Sequence, residues 1–495
     1  MARASSVYQP RRPEQGALHQ LVRDHFETFR ADAEATRDGQ GLPRFVEREF
    51  RDFLTCGCLA AGFARFHCAT CRKDRLVPFS CKGRGFCPSC GGRRMTDRAA
   101  HLVDHVFPQV PVRQWVLSLP PRLRYVLAFD HTLCRAVVAI FVRAILVWLR
   151  RRAERAGVAG GRGGGVAIVQ RFGAALNLNV HIHALIIDGV FVADGGDGVR
   201  FCPAAPVGEG ELAVLLGVIE RRLVTMLARR GITDGRDGVD VPDPWSEETP
   251  ALAGLAAASV RGVRALGPRA GRAVRRWGDA IDLPEPPTFG RWHARRDGFD
   301  VHAGILVPAG ARERLERLCR YTLRPPLGQD RLQRMPDGHV VLELRRRWTD
   351  GTTHLIFEPV ELLERLAALI PRPRINLVLY HGVLAPRAAW RALVVPAPID
   401  DTSGPSAHDA TAHGHGRPTN RTWADLMQRS FGFDVLACPH CSGRLTLVAL
   451  IHAPAVIERI LTHLGLPVDV PMMRPSRAPP LPFEGCDDQP FQGDD

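Results

Sequence analysis

The sequence predicts an α/β protein: a central antiparallel sheet with packed helices, preceded by a small cysteine-rich domain. Three observations carry this. Seven of the thirteen cysteines fall within 46–98, a stretch also dense in Gly and Arg. Strand-like segments lie at 166–172, 179–192 and 297–308, with a turn signal at Asp188-Gly189. Helical periods separate and follow them. The most amphipathic, Ala311–Leu323, turns Leu315, Leu318 and Cys319 inward and stops before Pro325-Pro326.

Along the chain, residues 1–45 form an N-terminal helical segment, with Leu21, Val22, His25, Phe26 and Phe29 on one face. Residues 46–98 are the cysteine-rich domain. A catalytic-sized domain spans 99–391 and opens with a strand in "VRQWVLSLP" and a long helical region, Leu123–Arg152. The glycine-rich run 157–165 is a linker or hairpin tip. Helices at Glu211–Arg230 and Ala251–Leu266 read as an insertion, about 205–290. A hairpin follows, "HVVLELRRRW" and "THLIFEP" around Asp350-Gly351. Residues 392–420 are an aperiodic linker, 421–467 a small C-terminal domain with Cys-x-x-Cys, and 468–495 a disordered tail.

Composition narrows the function classes. With 495 residues, 45% hydrophobic and 24% charged, the chain is neither a disordered protein nor a small disulfide scaffold. The net charge of +14 suits a polyanionic partner. Lys73 and Lys82 are the only lysines, so a catalytic lysine must be one of these two. The first 20 residues lack an apolar core, and Ala136–Leu149 is short and broken by Arg143, which reads as a buried helix and predicts no membrane association. A cytoplasmic, reducing location follows, where cysteines favour thiolate metal sites.

Cys68-x-x-Cys71 and Cys87-x-x-Cys90 are two knuckles whose four thiolates suit one structural, tetrahedral zinc ion in a zinc-ribbon-like domain. Cys56, Cys58, Cys81 and His67 are near enough to build a second site or to substitute in the first. The flanking "CRKDR", "CKGRG" and "CGGRRM" are basic, so Arg93 and Arg94 are candidates for DNA contact. Cys438-x-x-Cys441 is a half-site: zinc there needs further ligands, and a small-domain core is the alternative.

His181 and His183 flank Ile182 on a strand, so both imidazoles share a face and can reach one divalent ion. Gln170 on the preceding strand is the nearest oxygen donor, with His302 second. Of the four tyrosines, Tyr321 sits on the amphipathic helix among Arg317, Arg320 and Arg324. A tyrosine hydroxyl can attack a phosphodiester, and nearby arginines can neutralise flanking phosphates, which makes Arg320 and Arg324 candidate DNA ligands. The alternative is a packed ring. Tyr380 lies in "NLVLY", which alternates like a core strand. The segment 261–276 holds six arginines and no acid, a plausible backbone-binding surface. No G-x-x-x-x-G-K-[ST] pattern occurs in the glycine-rich run.

Taken in order, "FLTCGCLAAGFARFHCATC…FSCKGRGFCPSCGGRRM", "LNLNVHIHALIIDGV", "LERLCRYTLRPPL" and "INLVLYHGVLAP" resemble the insertion-sequence ninety-one group of bacterial rolling-circle transposases. The resemblance covers about residues 45–460 and implies an HUH-type transposase domain behind a zinc-binding one. It implies cleavage of one DNA strand, a 5′-phosphotyrosine link and strand transfer. His181 and His183 would bind Mg²⁺ or Mn²⁺, and Tyr321 would be the nucleophile. Some relatives carry two tyrosines four apart; here Arg317 and Pro325 occupy those positions, so a second subunit in a homodimer or Tyr380 would serve a second transfer. Partners would be DNA, single-stranded or hairpin element ends and target, and host replication proteins. The rival readings are a plasmid replication initiator or relaxase with the same chemistry, and a non-catalytic zinc-dependent DNA-binding regulator.

Overall fold

A computed structural model describes residues 12–36, 40–208, 210–232, 243–278, 292–395, 423–432 and 434–477. Most of the expected linker, the tail from 478 and Cys486 lie outside the described residues. The protein is mixed α/β with antiparallel sheets, and its N-terminal part carries one cysteine cluster and two of the four cysteines of a second.

Helices α1 (Ala17–Ala35) and α2 (Arg44–Thr55) are amphipathic and bury one face. Phe26, Phe50 and Phe86 stack in sequence, with ring centroids 4.9 and 4.7 Å apart. Phe86 belongs to the cysteine-rich segment, so the N-terminal helices and that segment share one core. Strands β1 (Phe63–Cys68) and β2 (Asp74–Pro78) form a hairpin, and α3 (Pro88–His105) follows with Pro88 in its first turn.

The central sheet draws on distant parts of the chain. After β3 (Val112–Ser118) come α4 (Pro121–Phe129) and α5 (His131–Arg155). The long helical region expected is thus two helices, because Asp130 breaks the run and its carboxylate accepts the Leu133 amide at 2.8 Å as an N-cap. Then come β4 (Gly164–Phe172), β5 (Leu178–Ile187), β6 (Gly189–Ala193) and β7 (Val199–Pro203), followed by α6 (Glu211–Ala228), α7 (Pro244–Glu248) and α8 (Pro250–Arg261). Strands β8 (Arg275–Gly278), β9 (His293–Arg296) and β10 (Phe299–Val307) lead into α9 (Arg312–Leu323). Strands β11 (Leu332–Arg334), β12 (Val340–Glu343) and β13 (Thr352–Phe357), helix α10 (Pro359–Leu369), β14 (Val378–Gly382) and α11 (Arg391–Val394) complete this part. The six-stranded order is β14-β4-β5-β3-β10-β9, every neighbouring pair antiparallel.

Alternation along these strands separates two faces. Trp115, Leu117, Ile182, Ala184 and Val301 point into a core shared with α4, α5, α6 and α8. Val112, Val166, Ile168, Leu185 and Val378 point to the other side, against Leu102 and Val103 of α3 and Leu315, Leu318 and Cys319 of α9. Each such side chain contributes about 1.5–3 kcal/mol on burial. Helix α5 is long and apolar enough to cross a bilayer, yet Leu133, Val137, Phe141, Val142, Ile145 and Leu149 are buried against the sheet. It is a core helix.

The C-terminal segment, α12 (Trp423–Phe431), β15 (Leu445–Ile451) and α13 (Pro454–His463), does not stand apart as the separate small domain expected. Strand β15 pairs antiparallel with β1, from Phe63 opposite Ile451 to Cys68 opposite Leu445. A two-stranded hairpin is marginal alone, and this third strand completes it. Ile457 and Leu461 of α13 pack on Phe63 beneath. Residues 468–477, expected to belong to the tail, are described and follow α1. The Arg474 amide donates to the Arg23 carbonyl at 2.8 Å, and the Arg474 guanidinium lies 3.3 Å from the Asp24 carboxylate, so the chain follows α1.

Candidate active site and metal centres

The four cysteines expected at one zinc ion do not converge; the fold divides them between two sites. Cys87 and Cys90 join Cys56 and Cys81, while Cys68 and Cys71 join Cys438 and Cys441. In the first set, sulfur pairs Cys56–Cys87, Cys56–Cys90 and Cys81–Cys90 are 3.6, 3.7 and 3.4 Å apart. In the second, Cys68–Cys441 and Cys71–Cys438 are 3.5 and 3.6 Å apart. Thiolates about 2.3 Å from a tetrahedral zinc sit about 3.8 Å from one another, so both sets fit the ion. The physical reason for the regrouping is the β1–β15 pairing, which brings two hairpins of the same build face to face. The Cys68 amide donates to the Lys73 carbonyl at 2.9 Å and the Cys438 amide to the Gly443 carbonyl at 2.7 Å. Gly443 permits the approach, since a Cβ there would meet Thr70 Oγ1 at 2.6 Å. His67 is no ligand, its Nδ1 paired to Asp74 at 2.7 Å, and the Cys58 thiol donates to the Leu54 carbonyl at 3.3 Å.

The first tetrad sits at the start of α3, and α3 is docked on α9. Arg312 of α9 reaches the Phe107 and Pro108 carbonyls at 3.0 and 3.2 Å. Arg429 of α12 binds Asp104 at 2.6 Å and Glu316 at 2.6 Å. Arg320, a candidate DNA ligand, is engaged in the same network through Glu316. A Cβ on Gly91 would meet Pro325 at 2.7 Å, so this glycine sets how near the metal-bound helix comes to the end of α9.

On β5, His181 and His183 do share a face, with ring centroids 4.9 Å apart. The Gln170 position pairs with His181 across β4–β5. Gln170 Nε2 donates to the Thr322 carbonyl at 3.0 Å, which ties the sheet to the residue after Tyr321. The Tyr321 ring is 6.0 Å from that of His183 and is 47% exposed. The Arg324 guanidinium lies 4.2 Å from the Tyr321 ring and 5.6 Å from Phe172. The chain therefore brings His181, His183, Gln170, Tyr321 and Arg324 together. Arg94 donates to the Lys82 and Gly83 carbonyls, each at 3.1 Å, and Arg93 is exposed.

His302 lies in the register row of His183 but two strands away, opposite Val116, with its ring 6.1 Å from His293. Tyr380 pairs with Val166, itself opposite Leu185, which places it on the other flank of the sheet. The basic segment 261–276 turns Arg264 and Arg269 onto Glu358, and the exposed Arg276 onto Asp350 at 2.9 Å.

Buried polar atoms mark where a ligand would fit. His183 Nε2, Gln170 Oε1 and Gln114 Oε1 have no hydrogen-bond partner among the described residues. The Asn179 carbonyl accepts from His181 Nδ1 at 2.8 Å, which leaves His181 Nε2 free to ligate; Gln114 Nε2 lies 2.8 Å from His183 Nδ1, and His183 offers Nε2 to a cation when the Gln114 amide turns its oxygen to an Nδ1–H. Burial pushes His183 down to about 3, with repulsion from His181 and Arg324 in the same sense; burial also lowers His181. Both rings are neutral near pH 7, the form that ligates a cation. Imidazole nitrogens with an amide oxygen suit a divalent ion. Sequence reasoning missed Gln114 and Asn179. Gln114 carried a signal, as a polar residue in an apolar strand two positions from Val116.

Two family models match the chain. One, described as Putative transposase, matches residues 164–391, and one described as Transposase zinc-binding domain matches residues 21–119. The first range holds β5 and α9; the second holds the first cysteine tetrad. No curated protein and no solved structure matches the chain.

Proposed function

Because the chain belongs to the insertion-sequence ninety-one (IS91) family of transposases, we propose that it cuts one DNA strand with Tyr321 and transfers it in rolling-circle transposition. The supporting observation is the exposed Tyr321 ring beside the buried His183. In this reading residues 99–391 are an HUH-type catalytic domain, and 46–98 a zinc-ribbon-like domain that grips the element end.

The Tyr321 hydroxyl attacks a phosphodiester of single-stranded DNA. A bond forms between the tyrosine oxygen and phosphorus, and the bond to the 3′-oxygen breaks. The tyrosine proton is lost to solvent and the leaving oxygen gains one, giving a free 3′-hydroxyl and a 5′-phosphotyrosine. A 3′-hydroxyl from a second strand then attacks the phosphotyrosine and restores Tyr321. The exchange keeps one phosphodiester at each step, so no ATP is required. His181, His183 and Gln170 would hold Mg²⁺ or Mn²⁺, which when bound supplies positive charge to the attacked phosphate. Gln114 and the Asn179 carbonyl fix the imidazoles, and Arg324 orients the tyrosine ring while adding positive charge beside the phosphate.

The test is a labelled single-stranded oligonucleotide with Mn²⁺. A denaturant-resistant protein–DNA adduct, lost in Tyr321→Phe, supports the proposal. Tight binding with the strand left intact would favour a DNA-binding regulator. A replication initiator or relaxase would give the same adduct and differ in the DNA sequence it cuts.

A further inference from the structure

A shallow cleft opens where α3 meets the end of α9 and strand β4. One end is formed by Gln170 and Thr322, next to Tyr321; the walls carry Arg84, Arg94, Arg98 and Arg324, and no carboxylate lines it. We infer that this cleft holds backbone phosphates of the DNA strand adjoining the one that Tyr321 attacks.

No carboxylate lines the cleft; the acids that act on Arg84 and Arg98, Glu49 and Asp97, stand outside its lining. Arg84 and Arg98 are both open to solvent; partial desolvation in the cleft lowers each, Arg94 repels both, and Arg98 repels Arg84. The acid nearest to Arg84, Glu49, already accepts the Gly85 amide at 2.6 Å. Arg98 has no hydrogen-bonded protein partner among the described residues. A group of guanidinium ions gathered in a cleft gains from an anion with several acceptor oxygens, and a phosphodiester matches their planar forks. Here the close packing of Gly91 on Pro325 holds the metal-bound helix against the catalytic sheet, so the cleft forms between the two. The zinc-binding domain thereby supplies one wall of the path that the strand takes away from Tyr321.

This inference rests on the reading that Tyr321 attacks a DNA phosphate, and the experiment separates the two. Binding of a fluorescein-labelled oligothymidylate is measured by anisotropy across salt concentrations, with full-length, zinc-loaded Tyr321→Phe protein so that the strand stays uncut. Adding Arg84→Gln and Arg98→Gln is expected to weaken binding at least about tenfold and make the salt slope shallower by about 1.4, for two phosphate contacts at about 0.7 each. Unchanged affinity and slope would overturn the inference. Zinc content checks folding; should the double variant lose zinc, Arg98→Gln alone decides, with an expected change of about 0.7 in slope. Inorganic phosphate added at constant ionic strength separates a strand site from one for the free anion: the strand should not be displaced at millimolar phosphate. Adduct formation by the tyrosine-containing protein with no slope change sinks the cleft alone; a slope change without any adduct sinks the Tyr321 reading alone.

Discussion

The ring of Tyr321 stands edge-on to that of His183, with centroids 6.0 Å apart and planes at 84°. One residue comes from a helix and the other from the middle of a sheet, and the contact between Gln170 and the Thr322 carbonyl fixes their spacing. The tyrosine is exposed while the histidine is 3% exposed. In the proposed reaction, an exposed tyrosine beside a buried, pre-oriented imidazole would be positioned before the chemistry begins.

Tyr321→Phe should abolish the covalent adduct yet leave the fold intact. The ring is half in solvent and its packing against Arg324 survives the loss of the hydroxyl. The expected stability change is within about 0.5 kcal/mol, as for other surface substitutions. Thermal unfolding and adduct gels on the same preparation check both halves. A large drop in stability would mean that the hydroxyl is structural.

Gln114→Leu should raise the Mn²⁺ concentration needed for half-maximal cleavage by about 10–100-fold, the usual effect of losing a group that orients a metal-binding histidine. The bond from Gln114 to His183 Nδ1 is 2.8 Å and wholly buried. Activity at saturating Mn²⁺ should recover most of the wild-type rate. A loss that no Mn²⁺ concentration restores would assign Gln114 to folding instead.

Two zinc ions per chain are expected by elemental analysis, and the two sites should part company on mutation. Cys438→Ser with Cys441→Ser should leave one zinc and free β15 from β1, seen as new proteolytic cleavage between 434 and 467. Cys87→Ser with Cys90→Ser should also leave one zinc, but it removes the anchor of α3, on which α9 is docked, so adduct formation should fall too. One zinc in the unmutated protein would contradict the pairing of hairpins.

The sheet and the tyrosine helix were legible because their signals are local. Alternation around His181 and His183 fixes a shared face, and Leu315, Leu318 and Cys319 fix the buried side of α9. The sorting of cysteines was not legible. Cys56 and Cys81 stand outside any Cys-x-x-Cys pair, and Cys438 and Cys441 lie far along the chain from Cys68 and Cys71. Which knuckle faces which depends on β15 choosing the free edge of β1, a non-local pairing that spacing does not encode. Arg320 illustrates the same limit: its charge was visible, its ion pair with Glu316, which Arg429 shares, was not.

Glu364 should make stability fall as pH rises through the weakly acidic range. Its carboxyl is 4% exposed, and burial pushes it up to about 7, although the Ala265 and Leu266 amides donate to it at 2.7 and 3.1 Å. The sign follows from the direction of the shift. The folded state holds the proton more tightly than the unfolded chain, whose value is near 4.5. The contribution is therefore complete below about 4.5 and is lost as pH rises to about 7. His19 and His25, both lowered by burial, act in the opposite sense, since they favour the fold as they lose their protons. The raw unfolding curve thus mixes the two, and the difference between wild type and Glu364→Gln isolates the carboxyl. That difference, from unfolding midpoints, should shift toward the variant between about pH 5 and 7, and level off above; a flat difference would mean that the two amides and Arg264 keep Glu364 charged throughout.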